Sequence, residues 1–437
     1  MSASSRRIDR LQTTFDHDGI VANVGLLVPA TLMSRLGLEA LINTWVRTGS
    51  SRPGRKILTI VAAMLAGGTH IDHVDMLRAG ATQAVLPFRV MAPSTIGTFL
   101  RSFTFGHVRQ LDAVCSRVLA RAWEAGAGPG DKPLVVDLDS TICEVHGKQK
   151  QAAGYGYTGV LGYHPLLATR ADTGEVVFAR MRRGSANTAR GVVRFVDELV
   201  AVLDRAGTSG ARTVRADSGF WSWKLIDRLD AHGIAWSITV RLHTTMKASI
   251  AAIPDEAWVD IDYTLGGHAQ VAETLYTAGK GRQRRTVRLI VRRTRLTDEA
   301  QRKLWPEWRH HAFITSDHVI GMVDADQFHR EHAVVELAIR DLKEGAGLEH
   351  IPSGHYHANA AWLACAVLAH NLGCWTTLLA RQPPITNRTR RTRLISLAAV
   401  IVNRSGQMTL RLPARWPWAH QFQQALTIIR ALPAPSG

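Results

Sequence analysis

The chain has 437 residues, of which 46% are hydrophobic and 20% charged, which excludes a disordered or low-complexity protein and allows more than one core. Its 53 Lys and Arg stand against 36 Asp and Glu, a formal charge of +17 carried mostly by arginine, so nucleic acid is expected as a partner before anionic membrane or acidic protein. Four scattered cysteines (Cys115, Cys143, Cys365, Cys374) without a CxxC pair argue against a disulfide framework or a zinc ribbon and suit a reducing cytosol.

Residues 1–130 read as a helical N-terminal region suited to DNA binding or dimerisation. Its start lacks an apolar signal core, and its apolar runs, such as ILTIVAAMLAGG at 57–68, are shorter than the roughly 20 residues a bilayer requires. In APSTIGTFLRSF a proline and Ser/Thr precede the periodic part, a helix-start signal. The glycines and prolines of EAGAGPGDKP (124–133) mark a linker.

Residues 131–242 change period. A strand is expected at 134–142, a hairpin at 164–181 around Asp172-Thr173-Gly174, and an amphipathic helix in NTARGVVRFVDELVAVLDRAG. A strand ending at Asp217, a helix through WKLIDRLDAHG and a strand at 234–242 follow. Residues 243–309 hold short strand-like pieces and no long helix, a β-rich insertion whose Arg-rich run ends at Arg295. Residues 310–380 resume the α/β pattern with the strand HAFITSD and a long helix from about 325. Residues 381–437 carry nine arginines and no acid.

The strand VVDLDST places Asp137 and Asp139 two residues apart, so both carboxylates leave one face. Asp217 closes another strand in RADSGF. On a continuous helix, His329, His332, Glu336, Arg340 and Lys343 form one polar stripe beside an apolar one of Val335, Ile339 and Leu342. Carboxylates from two strands and a helix suit Mg²⁺, a hard ion that prefers oxygen ligands.

These motifs resemble those of the DDE transposases of bacterial insertion sequences, closest to the group numbered 1380. The resemblance runs over roughly residues 20–380, through DLDST, EVHGKQKQAAGYGYTGVLGYHPLL, RADSGF, the Glu336 helix and ANAAWLACAVLAHNLGCW. It implies an RNase H-like α/β fold with a mixed-sheet core split by the β-rich insertion, in the cytoplasm of a bacterium near the nucleoid. It also implies cleavage at transposon ends and transfer of the 3′-OH to target DNA, with two Mg²⁺ (or Mn²⁺) held by Asp139, Asp217 and Glu336. Partners would be double-stranded DNA, as terminal inverted repeats and target, and a second copy of the chain on that DNA. Related families place the first acid just before Ser or Thr, which favours Asp139; Asp137 stays the alternative. Their Tyr-x2-Arg-x3-Glu-x6-Lys frame reads His329-x2-His332-x3-Glu336-x6-Lys343 here, with histidine at both of the first two positions.

Contacts to DNA are expected from Lys343, Arg340, His332 and His329, from Arg288 and Arg292 in the basic run, and from Trp305 and Trp308 by stacking on an unpaired base. Three other readings stay open: a DNA-binding protein with a decayed catalytic core, a haloacid-dehalogenase-type phosphatase with Asp137 as nucleophile, and zinc held by His329, His332 and Glu336.

Overall fold

The computed structural model describes residues 11–156, 158–263, 267–279, 284–295 and 308–434. Among the described residues, a short strand at Ile20–Val21 is followed by five α-helices before the large sheet: α1 (Leu27–Arg35), α2 (Leu38–Trp45), α3 (Pro53–Leu65), α4 (Pro93–Arg101) and α5 (Phe105–Ala122). Helices α3 and α4 begin on a proline, whose missing N–H falls where no intrahelical bond is due.

The strands of the large sheet are numbered β1 (Leu134–Ser140), β2 (Leu166–Arg170), β3 (Val176–Arg180), β4 (Arg212–Ala216), β5 (Ala235–Thr239), β6 (Val259–Ile261), β7 (Ala269–Ala278), β8 (Arg285–Arg295) and β9 (Trp308–Thr315). Their spatial order is β6-β7-β8-β9-β5-β4-β1-β2-β3. Strands β1, β2 and β3 are antiparallel neighbours, whereas β1, β4 and β5 run parallel. The parallel pairs exist because α6 (Val192–Arg205) and α7 (Trp223–Ala231) carry the chain back across the sheet. A core ordered 3-2-1-4-5, with three antiparallel strands leading into two parallel ones, is RNase H-like. The β-rich insertion follows α8 (Thr244–Ala251) and extends this same sheet, because β9 pairs antiparallel with β5.

The expected single helix from about 325 is two, α9 (Met322–Arg330) and α10 (Val334–Gly345), joined by a tight turn at Glu331–Ala333. The reason is Arg215 on β4. Its Nη1 donates to the Phe328 carbonyl at 2.5 Å, an acceptor that a continuous helix would give to the His332 N–H.

Helix α11 (Tyr356–Leu379) is long and apolar enough to cross a membrane, but 94% of its apolar window is buried inside the protein. It packs against α1, α3, α4, α5 and β3, tying the helical region to the sheet. After α12 (Asn387–Arg390), a hairpin of Ala399–Arg404 and Gln407–Arg411 pairs with Ile20–Val21, and α13 (Ala419–Ala431) rests on α1.

Candidate active site

The site is built as two layers on one face of β1 and β4. The parallel register sets Asp137 beside Arg215 and Leu138 beside Ala216. One residue further, Asp139 closes toward the end of β1 and Asp217 lies just past β4, so their carboxylates leave the same face about one strand spacing apart. The turn before α10 and the first turn of that helix cover this face. His332 meets Asp137, and Glu336, one helical turn on, stands over the next layer.

The lower layer is closed. Asp137 is 1% exposed, and Arg215 Nε and Nη2 donate to its two oxygens at 2.8 and 3.0 Å. His332 Nδ1 lies 2.8 Å from Asp137 Oδ1. A buried carboxylate is tolerated only when paired and hydrogen-bonded, and this one is paired on both oxygens. The arrangement corrects the alternative that made Asp137 the first ligand, and it also removes Asp137 as a phosphatase nucleophile. The antiparallel turn from β1 into β2 is likewise not the crossover such a phosphatase requires.

The upper layer is open and unbalanced. Asp139 accepts from its neighbour Ser140 N at 2.6 Å, and Asp217 from Gly219 N at 2.9 Å; Asp217 and Glu336 are exposed. Burial pushes the Asp139 carboxyl up to about 6, with Asp217 and Glu336 adding to the rise against the Ser140 N–H and His332. The three acids therefore share one electrostatic environment. Asp139, Glu336, Arg340, Lys343, Glu344 and Glu349 line a cleft of about 250 Å³, floored by Ser140 and Thr141. Lys343 donates to the Ile142 carbonyl at 3.1 Å, which steadies its ammonium at the rim.

Among the described residues no three acidic, His or Cys side chains are gathered closely enough to form a ready-made metal cage. The donor set nonetheless suits a hard divalent cation: carboxylate oxygens from three elements, one already destabilised in its charged form by burial and by the other two. A cation shared with a phosphate oxygen would relieve that repulsion.

Other expected contacts lie elsewhere. His329 is buried, its ring nitrogens each 2.8 Å from the hydroxyls of Ser237 and Thr239, its ring stacked on Phe313 at 4.0 Å. Burial holds it well below its ordinary 6.5. It is not a DNA contact. Nor do His329, His332 and Glu336 converge as zinc ligands, because the break between α9 and α10 turns the first two toward different strands. Arg288 and Arg292 also point inward: Arg288 grips Glu273 and the carbonyls of Asp317 and Ile320, and Arg292 bonds the fully buried Asp326 at 2.7 Å. The expected DNA role of both is corrected to a structural one, since β8 lies inside the sheet and its guanidiniums are used there. Trp308 is half-buried with Arg293 and Arg295 over its ring, and Trp305 lies outside the described residues.

Sequence reasoning missed Arg215. The signal was there: Arg215 stands two residues before Asp217, as Asp137 stands two before Asp139, so the pairs share a face once the strands are neighbours.

A family model described as transposase DDE domain group 1 matches residues 4–434. Among solved structures, the chain is similar to piggyBac transposase in a synaptic complex with hairpin DNA, at 11% identity and a TM-score of 0.42, covering 84% of this chain and 79% of that one. No curated protein sequence matches.

Proposed function

The chain belongs to the DDE transposases of domain group 1, and from that premise we propose that Asp139, Asp217 and Glu336 are its metal-binding acids and that it cuts DNA at transposon ends. The observation that carries the assignment is the layering, in which Asp137 is locked to Arg215 and His332 while Asp139 stays open to the cleft beside the other two acids. The substrate would be the terminal inverted repeats of an element and then target DNA, joined through the freed 3′-OH, with two copies of the chain on the DNA.

Two divalent cations, Mg²⁺ or Mn²⁺, held by these carboxylates would activate the attacking oxygen and neutralise the leaving one. The chain's own residues do the rest. Asp139 and Glu336 bring negative charge to the cleft and Asp217 adds its own close to Asp139, so phosphate cannot approach without a cation between. Lys343 and Arg340 stand on the Glu336 helix, at the same cleft, to hold a flanking phosphate. The closed layer beneath keeps both strands in register, so the acids do not need to reorganise on binding. The two histidines of the Glu frame face the sheet, and His332 serves the first strand through Asp137.

The test is Mg²⁺-dependent cleavage of a labelled duplex carrying the ends of the encoding element. Wild type is expected to cut and Glu336→Gln to bind the duplex without cutting. Cutting retained by Glu336→Gln would overturn the metal assignment. Binding by wild type with no cleavage under Mg²⁺ or Mn²⁺ would leave a DNA-binding protein with a dead core.

A further inference from the structure

The loop between β3 and α6, residues 181–191, sits against the acidic layer and is built more rigidly than a connection needs to be. Buried Arg182 organises it from within. Its Nη1 donates to the carbonyls of Asn187, Thr188 and Arg190 at 3.2, 2.9 and 3.0 Å, and its Nε to that of His164 at 2.9 Å. The His164 ring in turn spans the Ala186 carbonyl at 2.7 Å and the Ser140 hydroxyl at 2.8 Å, linking the loop to the residue after Asp139. At Gly184 a Cβ would fall 2.0 Å from the Gly162 carbonyl oxygen, so the backbone is pressed flat there. The loop also reaches Asp217. A Cβ on Gly219 would lie 3.1 Å from Asp217 Oδ1 and 2.8 Å from Thr188 Cγ2, so loop and acid face each other across one glycine.

This loop lines a second cleft, of about 280 Å³, with Arg180, Arg182, Arg183, Arg190 and Arg194 and a single acid, Glu198. Glu198 is already shared by Arg180 and Arg194, and by Arg109 of α5. Arg183 and Arg190 are exposed and form no ion pair among the described residues. Two guanidiniums without counter-charge, on a loop fixed by four bonds from a buried arginine, are arranged for an anion the protein itself does not supply.

We propose that Arg183 and Arg190 clamp two backbone phosphates of the DNA strand that leads away from the cut. The assignment rests on the DNA-cutting reading, which requires a phosphodiester at Asp139, Asp217 and Glu336. A strand with one phosphate there carries the next ones past whatever flanks Asp217, because phosphates recur about every 3.4 Å of helix axis along each strand. What flanks Asp217 is this loop. Contacts of this kind set the register of the duplex and carry no sequence preference.

The experiment measures affinity of the full chain for duplex DNA between about 50 and 200 mM salt, in the Glu336→Gln background with Mg²⁺ so that the substrate stays intact. Each lost phosphate contact removes about 0.9 from the slope of log K against log salt, so Arg183→Ala with Arg190→Ala is expected to flatten it by about 2. Arg183→Lys with Arg190→Lys is expected to restore the slope, because charge alone governs counterion release. An unchanged slope in the alanine variant with DNA still bound overturns the clamp and leaves the cutting reading intact. A chain that binds no duplex at all overturns both. A flattened slope that lysine does not restore also overturns the clamp, since the loss then comes from the loop's shape.

Discussion

Asn at position 137 and Asn at position 139 are the same chemical change two residues apart on one strand, and the structure predicts opposite effects on stability. Asp137→Asn removes the buried charge that neutralises Arg215, leaving a guanidinium whose side chain is only 2% exposed with the exposed Glu331, 3.4 Å from its Nη1, as its remaining acid. Breaking a buried pair from one side costs about 3–5 kcal/mol. Asp139→Asn does the reverse. The native state holds the Asp139 carboxyl at about 6 against an ordinary 3.8, a rise equivalent to about 3 kcal/mol as an upper limit. Because the folded pKa is raised, the native state binds the extra proton between these values, and stability is lost as pH climbs from about 4 to about 6. Asparagine abolishes that loss. In metal-free buffer Asp139→Asn is therefore expected to be more stable than wild type above pH 6 and no more stable below pH 4. Urea unfolding at several pH values, read from midpoints at constant slope, measures both variants. Equal destabilisation by the two at neutral pH would refute the layered reading, as would an Asp139→Asn gain that persists undiminished in acid.

Two further outcomes follow from residues moved out of the DNA interface. Arg292→Ala should lower stability by about 3 kcal/mol, since buried Asp326 loses one of its two arginines, while the salt slope of DNA binding stays at the wild-type value. A flattened slope would return Arg292 to the DNA surface. His329 is buried neutral with a lowered pKa, so its contribution is present above pH 6.5 and lost as pH falls below it; His329→Gln should reduce the acid sensitivity of the unfolding midpoint in that window. An unaltered pH profile would refute this.

Much of the site was legible along the chain because its elements are local. Alternation in VVDLDST put Asp137 and Asp139 on one face, and RADSGF ended a strand on an acid followed by a glycine that lets the chain turn. The helix carrying Glu336 followed from its apolar spacing, although its start did not: α10 begins at Val334 because Arg215, from a strand more than a hundred residues earlier, takes the Phe328 carbonyl. The same long-range contact decided His332, whose period alone aligned it with Glu336 and whose partner proved to be Asp137.

The arginines divide in the same way. Composition determined that the chain carries a large positive excess, which favours a polyanion as partner without fixing one. It could not say which arginines are spent within the protein. Arg288 and Arg292, in the most basic run, are consumed by Glu273 and Asp326, while Arg183 and Arg190, in an ordinary-looking loop, keep theirs for solvent. Periodicity is a property of one element and is written in its own residues. The choice between Asp137 and Asp139 required the register of β1 against β4, because a buried charge is settled by whichever counter-charge folding brings within bonding distance, and that partner lies on another strand.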